Sequence, residues 1–205
     1  MKIIAIIQAR LGSERLPNKV LLQIPRNSGM SMLELVVRKA LLGRSLNDVL
    51  VVTPDRFIAV LCNRWRVKAY MPYWKERDVL REFYVAATDL QANVILRLTA
   101  DCPLLQTAMI DNIVEEYLSN PVDLVYNTDE NTGQLNGEGS DVEVMSYDAL
   151  EKAHNNAKGE AREHVTLWIR QHLTTRFVPC ASLGIRSVNT QEDYEWVCAH
   201  LIENQ

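Results

Sequence analysis

A chain of 205 residues, 47% of them hydrophobic, can bury one sizeable core, so one domain is the expectation. A formal net charge of −4 excludes a broad cationic face for nucleic acid or an anionic membrane, so any phosphate site must be local. The four cysteines lack CxxC or Cys/His spacing, no signal peptide opens the chain, and no run approaches the ~20 apolar residues of a spanning helix, which together point to a cytoplasmic protein with reduced thiols.

The chain opens on Ile3-Ile-Ala-Ile-Ile7, an apolar run without alternation, which predicts a strand buried on both faces in the middle of a parallel sheet. Short apolar runs recur at 49–53, 67–70, 94–98 and 124–126, and helical periodicity fills 30–43, 55–65, 76–88 and 107–119. Strand and helix in alternation predict an α/β fold: a Rossmann-like, doubly wound, mostly parallel sheet with helices on both faces and ligands beyond the carboxyl ends of the strands. The pattern changes after Tyr126. Residues 127–140 are rich in Asn, Asp, Thr and Gly, and 142–145 alternate like a half-exposed strand, so 127–146 reads as an inserted β-arm within a single domain, 1–205. Helices at 147–157 and 160–172, short strands near 177–180 and 185–188, and a helix at 191–202 complete the chain. Asn189 or Thr190 suits the N-cap of that last helix, with Glu192 and Asp193 favourable in its first turn.

Two places could carry chemistry. The first strand empties into Gln8-Ala-Arg-Leu-Gly-Ser-Glu-Arg-Leu-Pro-Asn-Lys19, where a Gly12-Ser13 turn sits among Arg10, Arg15 and Lys19. Exposed N–H groups beside a glycine, with cations placed by the loop, suit a nucleotide's phosphates; a solvated surface loop is the equal alternative. Neither GxxxxGK[ST] nor GxGxxG is present, which speaks against a P-loop ATPase and a dinucleotide dehydrogenase. The second place is Arg97-Leu-Thr-Ala-Asp-Cys-Pro103, which puts Asp101 at the tip of the fourth strand. That carboxylate could hold Mg2+, which takes few protein ligands, or could cap the following helix. His154, His172 and His200 have no motif around them and read as structural or exposed.

The opening motif, together with Leu96-Arg-Leu-Thr-Ala-Asp-Cys-Pro-Leu104, Ser140-Asp-Val-Glu-Val144 and Arg162-Glu-His-Val-Thr166, resembles the acylneuraminate cytidylyltransferase family, in particular its spore-coat polysaccharide biosynthesis branch. The resemblance spans nearly the whole chain. It implies transfer of CMP from CTP to an acidic sugar of the 2-keto-3-deoxy, nonulosonic type with release of pyrophosphate, for surface polysaccharide precursors. It further implies that Gln8, Ala9, Arg10, Gly12, Ser13 and Lys19 bind the nucleotide, and that Arg10, Lys19 and Asp101 are catalytic. Asp141, Glu143, Arg162 and His164 would face the sugar, Mg2+ would be the cofactor on Asp101, and the arm would build a homodimer. The other readings are a nucleotidyltransferase for a neutral sugar phosphate, a non-catalytic nucleotide-binding relative, and a glycosyltransferase, for which no clear DxD motif is present.

Two positions depart from the family pattern. Where the family has a second metal-side Asp near the C-terminus, this chain has Asn189, which can coordinate through its carbonyl oxygen but brings no charge. The Val52-Thr-Pro-Asp-Arg56 loop is also shorter than the family's, which bears on base recognition.

Overall fold

Strand β1 (Ile3–Gln8) is buried on both sides because its faces serve two different cores. Ile3, Ala5 and Ile7 pack with α1 (Met32–Leu41), α2 (Arg56–Arg64) and α4 (Thr107–Ser119). Ile4 and Ile6 pack on the opposite face with α3 (Val79–Asp89), α5 (Tyr147–Asn156) and α6 (Leu167–His172). A continuous apolar run is what such a strand requires, since either face exposed would call for alternation. The computed structural model describes residues 1–74, 76–128, 139–179 and 186–203.

The other strands are β2 (Asp48–Val52), β3 (Lys68–Tyr70), β4 (Val94–Thr99), β5 (Leu124–Tyr126), β6 (Val142–Ser146) and β7 (Thr175–Phe177), in the sheet order β3-β2-β1-β4-β6-β5-β7. Strands β1 to β4 run parallel, β6 runs antiparallel to β4 and β5, and β7 runs parallel to β5. The fold is the expected mostly parallel α/β sheet. The chain leaves β1 toward β2 on one side and returns to β4 on the other, so the carboxyl ends of β1 and β4 flank a topological switch point, where open sheets bind ligands. Gln8 and Thr99, the last residues of these two strands, are register partners.

Three expectations need correction or limits. Residues 142–145 are not a half-exposed strand: Val142, Glu143, Val144 and Met145 are all buried, because β6 sits between β4 and β5. Of the expected arm, 129–138 lie outside the described residues; its base is tied by Asn127, whose Nδ2 donates to the Ser140 carbonyl and whose Oδ1 accepts from Val142 N–H, each at 2.8 Å. Of the expected strand at 185–188, residues 186–188 form none, and Cys180 to 185 fall outside the described part. Cys62, Cys102 and Cys198 are buried free thiols. Among the described residues no helix is long and apolar enough to cross a membrane.

Helix α7 (Gln191–Glu203) closes the molecule beside the switch point, burying Tyr194, Val197 and Cys198 against Ile24, Met32, Leu104 and Val188. Its start is a reciprocal cap: the Thr190 hydroxyl accepts from Asp193 N–H at 3.2 Å, and the Asp193 carboxylate accepts from Thr190 N–H at 2.8 Å. The same carboxylate accepts from Asn189 N–H at 3.0 Å, and Val188 N–H donates to the Asp101 carbonyl at 2.8 Å. Asn189 is thereby fixed beside Asp101, although 88 positions separate them in the chain.

Candidate active site

Beyond the carboxyl ends of β1 and β4 lies a cleft of about 490 Å3. The loop after β1 contributes Arg10, Ser13, Arg15 and Lys19; β4 and its exit contribute Arg97, Thr99 and Asp101; Asn189 enters from the start of α7. Arg77, Glu163 and His164 also line the cleft. The loop is pinned where it leaves the sheet, because Leu11 N–H donates to Asp55 Oδ2 at 2.8 Å.

At the cleft floor the Lys19 ammonium meets three oxygens: Asp101 Oδ2 at 2.7 Å, the Val188 carbonyl at 2.8 Å and Asn189 Oδ1 at 3.1 Å. An ammonium has three N–H donors, so all three are spent on the protein. In this arrangement Lys19 neutralises and orients Asp101 and Asn189, and the direct grip on a triphosphate expected of it would require it to leave one of these oxygens. Asn189 Oδ1 also accepts from Arg15 at 3.1 Å, which leaves Arg15, Lys19 and Asp101 joined through one amide oxygen. Arg10, by contrast, makes no ion pair or side-chain hydrogen bond among the described residues, and it lines the cleft with its charge available.

Two N–H groups of the backbone cradle expected around Gly12 are spent within the protein. Ala9 N–H donates to the Val52 carbonyl at 3.0 Å and Ser13 N–H to the Leu11 carbonyl at 2.9 Å. Gly12 does not line the cleft, and a Cβ built there would meet no protein atom within 4 Å. Ala9 lines a smaller neighbouring pocket, while Gln8 and Ser13 do face the cleft.

Of the residues expected at the sugar, His164 lines the cleft, with Nε2 3.7 Å from Glu160. Glu143 does not. It is 3% exposed in the sheet interior, paired with Arg97 and Arg170, and accepts from the Thr166 hydroxyl at 2.7 Å. Burial alone would raise its pKa, but Arg97 and then Arg170 outweigh burial and bring it down to about 2. Arg162 is likewise committed to structure, forking onto Asp78 and donating to the His154 carbonyl at 2.6 Å, so it holds the start of α3 against the end of α5. Asp141 does not line the cleft but is near enough to Asp101 to feel its charge. Its carboxylate accepts from the Thr128 hydroxyl at 2.7 Å and lies 3.6 Å from the Cys102 thiol; burial raises it, and the nearby Asp101 charge adds to the rise.

Sequence reasoning passed over Arg77, Arg97 and Thr99, which face the cleft. A signal for Arg97 existed: one cation inside the apolar strand 94–99 must be paired or functional, and it is paired with Glu143 while lining the cleft.

Among the described residues no three His, Cys, Asp or Glu side chains gather as a closed metal cage. Asp101 nonetheless suits Mg2+, which takes one or two protein oxygens and completes its shell with water and substrate phosphate; the Asn189 oxygen, already taken by Lys19 and Arg15, would join it only by releasing one of them.

Comparison with known proteins gives one family: a profile described as cytidylyltransferase matches residues 4–201. A Methanocaldococcus jannaschii protein of uncharacterized function is 40% identical over 177 residues, covering 84% of this chain and 68% of that protein. The spore coat polysaccharide biosynthesis protein SpsF of Bacillus subtilis is 28% identical over 212 residues, 96% of this chain and 85% of that one. The 3-deoxy-manno-octulosonate cytidylyltransferase of Trichlorobacter lovleyi is 31% identical over 121 residues, which is 59% of this chain and 47% of the relative. Among solved structures, a cytidylyltransferase from Leptospira borgpetersenii superposes with a TM-score of 0.87 at 23% identity, covering 99% of this chain and 87% of that one. A CMP:2-keto-3-deoxy-manno-octonic acid synthetase solved with CTP has a TM-score of 0.80 at 17% identity, with full coverage of both chains. At these identities the two structures speak for the fold alone.

Proposed function

The chain belongs to the cytidylyltransferase family, and on that premise we propose that it transfers CMP from CTP to an acidic sugar of the 2-keto-3-deoxy class, releasing pyrophosphate for surface polysaccharide synthesis. The observation that carries this reading is the convergence of Arg10, Arg77 and the Lys19–Asp101–Asn189 cluster in one cleft at the switch point. Arg10 and Arg77 receive the triphosphate, and His164 with the mouth of the cleft receives the sugar. A sugar hydroxyl oxygen attacks the α-phosphorus in line and pyrophosphate leaves, a reaction in which positioning and charge neutralisation supply most of the acceleration. Asp101 would hold Mg2+, with Asn189 beside it, and the ion would supply positive charge to the phosphates. The acidic-sugar assignment draws on the named activity of the 3-deoxy-manno-octulosonate relative.

The test is pyrophosphate release from CTP and Mg2+ against a panel of 2-keto-3-deoxy sugar acids and neutral sugar phosphates. Turnover with a sugar acid is expected; turnover with a neutral sugar phosphate alone replaces the acceptor, and none with any acceptor favours a binding relative.

Asn189 gives that last alternative its one specific motive. Asn189→Asp adds a carboxylate beside Asp101, where Lys19 and Arg15 already stand to receive it. We expect tighter Mg2+ dependence with kcat changed by less than about tenfold, as read by Mg2+ titration of turnover. A gain far beyond that would identify the wild-type site as decayed.

A further inference from the structure

A second pocket of about 150 Å3 adjoins the cleft and shares Gln8, Arg10 and Arg77 with it. Cavities of that size hold one six-membered aromatic ring. Pro54, Pro72, Trp74 and Val79 give it flat apolar walls, so a ring here and a triphosphate in the cleft can belong to one molecule. The short loop after β2 supplies Pro54 to a wall.

Glu82 of α3 reaches this pocket from a site where it is only 6% exposed, and among the described residues its carboxyl makes no ion pair or hydrogen bond. The Trp74 indole N–H is also buried without a partner. A carboxyl on so buried a residue, with no protein partner and a pocket before it, is suited to a ligand donor.

We infer that Glu82 reads the 4-position of the pyrimidine, its carboxylate accepting an N–H of cytosine's amino group and repelling the carbonyl oxygen that uracil carries there. The inference rests on the reading that the chain binds CTP. Recognition of this kind depends on charge. Burial raises Glu82 to about 7; Arg77 opposes the rise, Asp78 adds to it, and Arg10 opposes it. Glu76 lines the same pocket, and Tyr70 of β3 feels the charges of both Arg81 and Glu82. Below neutrality the protonated carboxyl carries an O–H that can donate to a carbonyl, so discrimination fades; above it, the carboxylate accepts only.

The experiment is calorimetric measurement of CTP and UTP affinity at about pH 6 and about pH 8, for the wild type and Glu82→Gln. For the wild type, the CTP preference is expected to be roughly tenfold or more at the higher pH and to shrink at the lower. Glu82→Gln, whose amide can turn either way, is expected to show a preference within about threefold at both. A pH-independent wild-type preference, or an undiminished one in Glu82→Gln, overturns the role of Glu82 while the CTP reading stands. Binding of neither nucleotide by the wild type overturns both. Glu82→Gln also removes a buried charge, so its thermal midpoint should equal or exceed the wild type's at the higher pH; should it fail to fold, the wild-type pH series alone decides.

Discussion

Asp101→Ala is expected to lower kcat/KM for CMP transfer by at least about 100-fold, equivalent to about 3 kcal/mol of transition-state stabilisation, while the thermal midpoint moves little. The two readouts separate because Asp101 sits at the cleft floor, on the exit of β4, rather than in either sheet core. Its Oδ2 is one of three oxygens around the Lys19 ammonium, so Lys19→Ala should produce a loss of similar size by leaving Asp101 without its neutralising partner. The double variant should be hardly worse than either single one, since groups that act as a unit are strongly non-additive. Pyrophosphate release and thermal unfolding, measured on the three variants, check this. Full activity in either single variant would remove the cluster from the mechanism.

The sheet and the place of the site were legible because local sequence carries both. The isoleucine run of β1 can hardly be anything but a doubly buried strand, and Asp101 after an apolar run is placed by strand geometry alone. What was misread depends on partners distant in the chain. Val142-Glu-Val-Met145 alternates in polarity, so Glu143 looks solvent-facing until Arg97, 46 positions away, and Arg170, 27 positions away, enclose it. Arg162 reads as a cleft cation beside His164, yet Asp78, 84 positions earlier, takes its guanidinium. No motif marks Glu82, and only the packing of α3 against the sheet turns it inward. Gly12 marks a loop correctly, but a glycine does not by itself reveal whether neighbouring N–H groups are free, and here Ala9 and Ser13 spend theirs on backbone carbonyls.

Glu143→Gln should destabilise the fold by about 3–5 kcal/mol at neutral pH, because removing one member of a buried ion cluster leaves the others uncompensated. Arg97 already has a buried Nε without a partner, so it has no second acceptor to turn to. Arg170 lies over the Tyr126 ring at 3.8 Å and donates to the Thr128 carbonyl at 3.2 Å, so its displacement would also loosen the base of the 127–140 segment. The acid dependence has a definite sign. The folded carboxyl at about 2 is below its ordinary 4.5, so its stabilisation is complete above that ordinary value and is lost as pH falls toward 2. Urea denaturation from neutral pH down to that range should therefore show a flatter acid limb for Glu143→Gln than for the wild type. A triple replacement, Arg97→Met with Glu143→Leu and Arg170→Leu, should recover much of the lost stability, since apolar side chains of similar volume often match a buried ion cluster. It should not recover activity, because Arg97 also lines the cleft with Asp101. Recovery of both would make the cluster a packing device only, whereas recovery of stability alone would show that the sheet carries these charges for the cleft.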